Sequence, residues 1–123
     1  MLSGIFEEPL ETFQQLVDNN ITLFQQPLDF GNRQFLKEST IAEYNKLEET
    51  YHIPVSYEEY NYMVDQYVMI DGTHAELYHH WDSMYLKEHH SGRYIRSKER
   101  LRGHQPFGGY LLNKKWHLNE VGE

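Results

Sequence analysis

Four segments of the sequence carry the pattern of a capping box, in which Ser or Thr is followed three residues later by Glu or Gln. In such a box the hydroxyl oxygen accepts a hydrogen bond from the third helical amide, and the Glu or Gln side chain bonds back to the cap. Apolar residues continue at helical spacing behind each segment. The segments are 12–15, 40–43, 56–59 and 73–76. They predict helices from about residue 12, over 40–51, over 57–65 and over 73–88.

Short apolar runs of strand length separate these helices. The run at 21–24 follows two asparagines, and the run at 67–71 is apolar until its last residue, Asp71. Weaker strand candidates lie at 94–95 and 110–112, and a short helix is expected at 32–38. A strand that is apolar on both faces is typical of a sheet covered by helices on both sides. The alternation therefore predicts an α/β fold with a small, mostly parallel sheet flanked by helices.

The composition narrows the classes of function. With 123 residues, 39% of them hydrophobic, the chain is expected to form a single α/β lobe over residues 1–123. It has no cysteine, which excludes disulfides, thiolate metal sites and cysteine nucleophiles. Residues 1–65 hold 12 acidic residues against three basic ones, so this half would repel nucleic acid, and no nucleic-acid partner is expected. The basic cluster at 93–102 is interpreted as a solvated strand and turn.

Asp71 is the candidate binding residue that the pattern singles out. In open parallel sheets, ligands collect beyond the carboxyl ends of the strands, beside the helices that follow. As the last residue of a predicted strand, ahead of Gly72 and the predicted helix cap Thr73, Asp71 would lie at that edge. The alternative is that Asp71 only caps the turn into Thr73.

The order of these elements resembles the second lobe of the ligand-binding domain of ionotropic glutamate receptors, and most of all the divergent insect chemosensory ionotropic receptors. The first strand of that lobe resembles 21–28, the helix start facing the ligand resembles GNRQF at 31–35, and the family's strand ending in an acid is similar to YVMIDGT at 67–73. Three further segments resemble parts of the family. LSGIF at 2–6 resembles the outer end of the third membrane helix, and PLETFQQLV at 9–17 resembles the segment of a proline followed by a Thr-capped helix. FGGYLLNKK at 107–115 resembles the strand that returns to the other lobe.

The resemblance implies one lobe of a periplasmic-binding-protein-like clamshell, with the first lobe and the membrane helices outside this chain. It implies a subunit of a ligand-gated cation channel rather than an enzyme. As part of a longer chain the lobe would lie on the extracellular face of the plasma membrane, and the isolated fragment would be soluble. The implied partners are a small polar or amine-bearing ligand, the first lobe of the same receptor and other channel subunits. No cofactor or metal is implied.

The resemblance also implies which residues contact the ligand. In the family the acid at the position of Asp71 binds the ligand's amine, and the hydroxyl at the position of Thr73 lies at the helix start. Gly31, Asn32 and Arg33 match the helix start that faces the ligand. Glutamate receptors have two hydroxyl residues where this chain has Asn32 and Arg33. This departure argues against glutamate itself as the ligand, and the family's lobe disulfide cannot form without cysteine.

Two alternatives from other classes stay open at this point. The acidic first half suits a small stand-alone binding or inhibitor protein. The eight histidines suggest a metal site, for which Glu76 and His80 have the i, i+4 spacing that ligands on one helix need. Catalysis has no signature, because the chain lacks a Gly-x-Ser-x-Gly motif and a phosphate-binding loop.

Overall fold

The computed structural model describes residues 10–27, 31–78, 84–102 and 108–114. Over these residues the chain is mixed α/β, as the sequence predicts. The helices are α1 Phe13–Asp18, α2 Asn32–Glu38, α3 Ala42–Glu48, α4 Tyr57–Met63, a π-helix Val64–Val68, and α5 Met84–His89. The strands are β1 Thr22–Phe24, β2 His74–Leu77, β3 Tyr94–Arg96 and β4 Tyr110–Asn113. Among the described residues, no helix combines the length and the apolar character needed to cross a membrane.

The four described strands form one open sheet in the order β1-β2-β4-β3. Strands β1 and β2 are parallel, with Leu23 opposite Ala75. Strand β4 is antiparallel both to β2 and to β3. The prediction of a mostly parallel sheet is therefore wrong, since one of the three pairings is parallel. The long helical connection allows β1 and β2 to run in the same direction, whereas β4 returns between β2 and β3.

The core lies on both faces of the sheet. Successive residues of a strand point to opposite faces, so Leu23 packs with α1, α2 and α3, whereas Phe24 packs with α4, the π-helix and α5. Strand β4 repeats this alternation, with Leu112 on the first face and Leu111 on the second. Helices on both faces explain why β4 is buried along its whole length.

Two of the four predicted capping boxes form caps. Thr12 accepts a hydrogen bond from the Gln15 amide, and the Gln15 side chain bonds back to the Thr12 amide, which completes the box that begins α1. Ser56 accepts a bond from the Glu59 amide at the start of α4. Helix α3 begins instead after Ile41, without a side-chain cap. The strand predicted at 21–24, the helix predicted at 32–38 and the strands predicted at 94–95 and 110–112 are confirmed, each to within one residue of its predicted bounds.

The predicted strand at 67–71 and the predicted helix start at Thr73 are wrong. Helix α4 runs directly into the π-helix, which is followed by a turn, and the strand begins at His74 instead. Gly72 turns the chain with a φ of 69°, and the Thr73 carbonyl then accepts a bond from the Thr22 amide next to the β1/β2 ladder. The segments at 2–6 and 79–83, which carry other parts of the prediction, lie outside the described residues.

The spacing of the buried residues explains this error. Tyr60, Met63, Val64 and Val68 are buried at intervals of three and four residues, which is the spacing of a helix face. Ile70, by contrast, is 61% exposed, which would not be expected of a buried strand. The four consecutive residues 75–78 are all buried, as in a strand covered on both faces.

Candidate functional site

The structure places the five predicted site residues in two separate groups. Gly31, Asn32 and Arg33 lie at the start of α2, beyond the carboxyl end of β1. Asp71 and Thr73 lie in the turn that precedes β2. Because β1 and β2 are parallel and begin together, these two turns lie at opposite ends of the strands. The structure therefore does not bring the two groups together, and the ligand contacts of each group stay predictions.

Asp71 lies on the surface and closes the turn after the π-helix. Its amide donates to the Gln66 carbonyl at 2.8 Å, and its Oδ1 accepts a bond from Gln66 Nε2 at 3.2 Å. Both contacts are local. The position that motivated the ligand hypothesis, the carboxyl end of a buried strand, is not the position that Asp71 occupies.

His74, which follows Thr73, lines a cavity of about 400 Å³ beside this turn. Thr73 Oγ1 lies 2.9 Å from His74 Nδ1, and the His74 ring stacks on the Tyr67 ring with 4.7 Å between centroids. His52 and Glu59 also line this cavity, and His52 Nε2 lies 3.1 Å from Glu59 Oε2. Burial, and secondarily the proximity of His52, lower the pKa of His74 to about 4. The His74 imidazole is therefore neutral near pH 7 and packs as an aromatic group.

At the other end of the sheet, three buried polar side chains form a hydrogen-bonded network. Gln25, Asn32 and Tyr51 are exposed by 1%, 0% and 3%, respectively. Gln25 Oε1 accepts a bond from the Tyr51 hydroxyl and another from Asn32 Nδ2, the latter at 2.8 Å. Asn32 Nδ2 also lies 3.3 Å from the Tyr51 hydroxyl oxygen. This buried network joins the residue after β1, the start of α2 and the chain after α3.

Arg33 lies beside this buried network and is held in place by Tyr51. Its Nη2 donates to the Tyr51 carbonyl oxygen, and its guanidinium carbon lies 6.0 Å from the centroid of the Tyr51 ring. The side chain is otherwise exposed. A guanidinium has five N–H donors in a fixed plane, so the contact with Tyr51 leaves donors directed to solvent. An oriented, exposed arginine of this kind can bind a carboxylate or a carbonyl oxygen.

Sequence reasoning identifies Asn32 and Arg33 but misses Gln25 and Tyr51. Gln25 follows β1 directly, so a polar residue at the end of a predicted strand was an available signal. Tyr51 follows α3 and reads in the sequence as one more apolar residue of that helix. Nothing in the local pattern shows that its hydroxyl bonds to a glutamine 26 positions earlier in the chain.

Comparison with known proteins gives no relative from which a role could be transferred. No protein-family model matches this chain, and no curated protein and no solved structure matches it either. In the part of the chain that the structure describes, no group of three or more His, Asp or Glu side chains could hold a metal ion. Glu76, one of the two residues proposed for such a site, lies in β2, where the Tyr60 hydroxyl donates to its Oε2 at 2.8 Å.

Proposed function

We propose that this chain is the ligand-sensing lobe of a ligand-gated cation channel subunit and the second half of a clamshell ligand-binding domain. The lobe binds a small polar ligand beyond the carboxyl end of the parallel strand β1. It works by binding rather than by catalysis. The ligand, the first lobe and the other channel subunits are its partners.

The observation that carries this proposal is that a buried hydrogen-bonded network holds the Arg33 side chain in place. The Gln25, Asn32 and Tyr51 side chains are removed from solvent and satisfy one another, and Tyr51 in turn orients the arginine. A buried polar network requires exact geometry, because each unsatisfied group costs about 1–3 kcal/mol. Such a network under an exposed, oriented cation is what a preorganised binding edge needs.

The position of this edge also supports the proposal. Gln25 directly follows β1, which is half of the parallel pair, and ligands of open α/β sheets bind beyond such strand ends. Of the elements that resemble the receptor lobe, the Thr-capped helix, the first strand, the helix start after Gly31 and the β4 strand are present. The 67–73 segment does not have the conformation that the resemblance implies.

The geometry favours a ligand that presents an oxygen acceptor to this lobe. Arg33 lies at the proposed edge, whereas Asp71, the predicted partner of an amine, lies at the opposite end of the strands. The ligand's carboxylate or carbonyl oxygen therefore contacts Arg33. An amine on the same ligand finds its partner elsewhere, in the first lobe or on other residues of this one.

Binding of small molecules to the isotope-labelled chain tests the proposed site at Arg33. Two-dimensional NMR during titration with free amino acids and small carboxylates should show shifts concentrated in residues 31–36 and 51–53. Arg33→Gln should weaken this binding by about tenfold or more, the value of one charge-assisted hydrogen bond. Lys37→Gln removes a charge from the same helix and should leave the binding unchanged. Shifts scattered over the surface, or equal losses in both variants, would contradict the proposed site.

The channel part of the proposal has a separate test. A receptor subunit requires membrane-spanning segments in the coding sequence around this lobe. Expression of the complete gene product should then give a ligand-evoked cation current, and Arg33→Gln should raise the ligand concentration needed for half-maximal current. A gene that encodes no membrane-spanning segment would refute the channel assignment without affecting the binding test.

A further inference from the structure

A second cavity, of about 630 Å³, lies between the π-helix and the β3/β4 strand pair. Its volume falls in the range of small-molecule sites, roughly 300–1,000 Å³. Asn113 lies at the end of β4, which runs antiparallel to β2, so the cavity is at the end of the sheet opposite Arg33. The side chains that line it include Asp65, Met69, Ile70, His90, Arg93 and Lys114.

One wall of this cavity is a chain of hydrogen bonds centred on Asp65. Asp65 Oδ2 accepts a bond from the Tyr85 hydroxyl at 2.6 Å, and Oδ1 lies 2.7 Å from His90 Nε2. Arg93 Nη2 donates to the other nitrogen of that ring, His90 Nδ1, at 3.0 Å and to the His89 carbonyl at 2.9 Å. Since an arginine can only donate, His90 Nδ1 accepts, and Nε2 carries the proton that bonds to Asp65.

In this arrangement both carboxylate oxygens of Asp65 are hydrogen-bonded, whereas the basic side chains of Arg93 and Lys114 are exposed. Burial opposes the charge on Asp65, but the hydrogen bonds from Tyr85 and His90 outweigh it and lower the pKa of the carboxyl group. Asp65 is therefore a carboxylate with both oxygens engaged. Arg93 uses one terminal nitrogen for the His89 and His90 contacts, and Lys114 has no ion pair among the described residues. Arg93 and Lys114 therefore bring two positive charges to the cavity, against the one negative charge of Asp65.

Met69 and Ile70 form an apolar wall of the cavity, which is partly open to solvent. Ile70 is 61% exposed, and Met69 beside it is half-buried. The Met69 carbonyl accepts a bond from Asn113 Nδ2 at 3.0 Å, which fixes the apolar wall to the end of β4. The Lys114 amide bonds to the Arg93 carbonyl at 3.0 Å, so the two bases project from neighbouring points of the backbone. The π-helix supplies Asp65, and π-helical turns occur frequently at functional sites.

We infer that this cavity binds a small organic anion, namely a carboxylate attached to an apolar body. The carboxylate lies against Arg93 and Lys114, and the apolar body lies against Met69 and Ile70. The Asp65 network does not contact the anion directly. It fixes His90, which in turn orients Arg93 toward the opening. This site is separate from the one proposed at Arg33 and does not depend on it.

Three small molecules dissect this inference without any change to the protein. Benzoate has both the carboxylate and the apolar body, benzamide lacks the charge, and acetate lacks the ring. NMR titration of the labelled chain with benzoate should shift residues 65–70, 90–93 and 113–114. Benzamide and acetate should each bind about tenfold more weakly, because each loses one of the two kinds of contact. Equal binding of benzoate and benzamide would overturn the inference.

Matched lysine variants locate the site. Lys114→Gln should weaken benzoate binding by about fivefold to tenfold, as expected for loss of one partly exposed charge contact. Lys87→Gln removes an exposed lysine of α5 that does not line the cavity and should have no effect. Ile70→Ser should weaken benzoate more than acetate. Equal losses in the two lysine variants would show attraction by the overall charge alone and would refute the site.

Discussion

Acidification from about pH 7.5 to about pH 5 should destabilise the fold, because His74 lies where a positive charge is poorly accommodated. Its ring stacks on Tyr67 and meets the edge of Phe24, with 6.0 Å between those ring centroids. Burial is the main reason that the pKa of His74 falls from 6.5 to about 4, and His52 adds to it. The proximity of Asp71 opposes the shift only in part.

The direction and size of this effect follow from proton linkage. Between pH 6.5 and pH 4 the unfolded chain binds a proton on His74 that the folded chain does not, so stability falls as the pH falls through this window. The contribution is fully present above about pH 6.5. With these two pKa values of His74, the expected loss is about 2 kcal/mol at pH 5, and it approaches about 3 kcal/mol below pH 4.

Urea unfolding followed by circular dichroism measures this loss. His74→Phe and His74→Asn both remove the titrating group, although one keeps an aromatic ring and the other keeps a polar side chain. Their starting stabilities will differ, but both should lack the loss of about 2 kcal/mol that the unmodified chain shows. Carboxyl groups with lowered pKa values, such as Asp65, are common to all three proteins and cancel in the comparison. Identical pH dependence in all three proteins would refute the assignment to His74.

Two further changes test the packing around β4 and β2. Gly109→Ala should cost about 2 kcal/mol or more, because a Cβ there would lie 1.9 Å from Ser97 Oγ and 2.5 Å from the Glu99 carbonyl oxygen; an unchanged unfolding midpoint would show that β4 does not approach so closely. Tyr60→Phe removes the hydroxyl that donates to buried Glu76 Oε2 at 2.8 Å, so thermal unfolding should show a loss of about 1–3 kcal/mol. A Tyr62→Phe variant on the exposed face is the control, and an equal effect in both would contradict the role of the buried contact.

The elements that the sequence predicts correctly are those whose signals are local. The capping box at Thr12 and the cap at Ser56 begin helices because a hydroxyl and an amide three residues away are all that the motif needs. The strands predicted at 21–24 and 110–112 are apolar runs too short for a helix and bounded by turn residues. In these segments, local preference and tertiary packing favour the same structure.

The failure at 67–76 has a different physical basis. An apolar run of four residues fits a strand and the last turn of a buried helix equally well, and here the preceding helix continues into the run and ends at Val68. Thr73 and Glu76 have the spacing of a capping box, yet they lie at the start of a strand. Glu76 is fully buried, and its partner Tyr60 is 16 positions away. Only the folded chain shows that a carboxyl group can be buried in this strand.

The candidate site divides in the same way. The position of Arg33 beyond the end of β1 follows from the predicted order of strand and helix, and the structure confirms that order. What orients the arginine is Tyr51, and what holds Tyr51 is Gln25, contacts that join three segments distant in sequence. The sequence prediction places Asp71 and Arg33 at the same edge because a strand is predicted to end at Asp71. Strand β2 instead begins at His74, so Asp71 precedes the strand and lies at the opposite end from Arg33.

The order of the strands has a consequence for the synthesis of the chain. Strand β4 is the last described strand to be made, yet it lies at the centre, between β2 and β3. Both antiparallel pairings therefore wait for Tyr110–Asn113 to leave the ribosome. Until then β2 and β3 each have backbone groups without their ladder partner, and such edges recruit other chains. A nascent or prematurely terminated chain is consequently the form of this protein that most needs a chaperone.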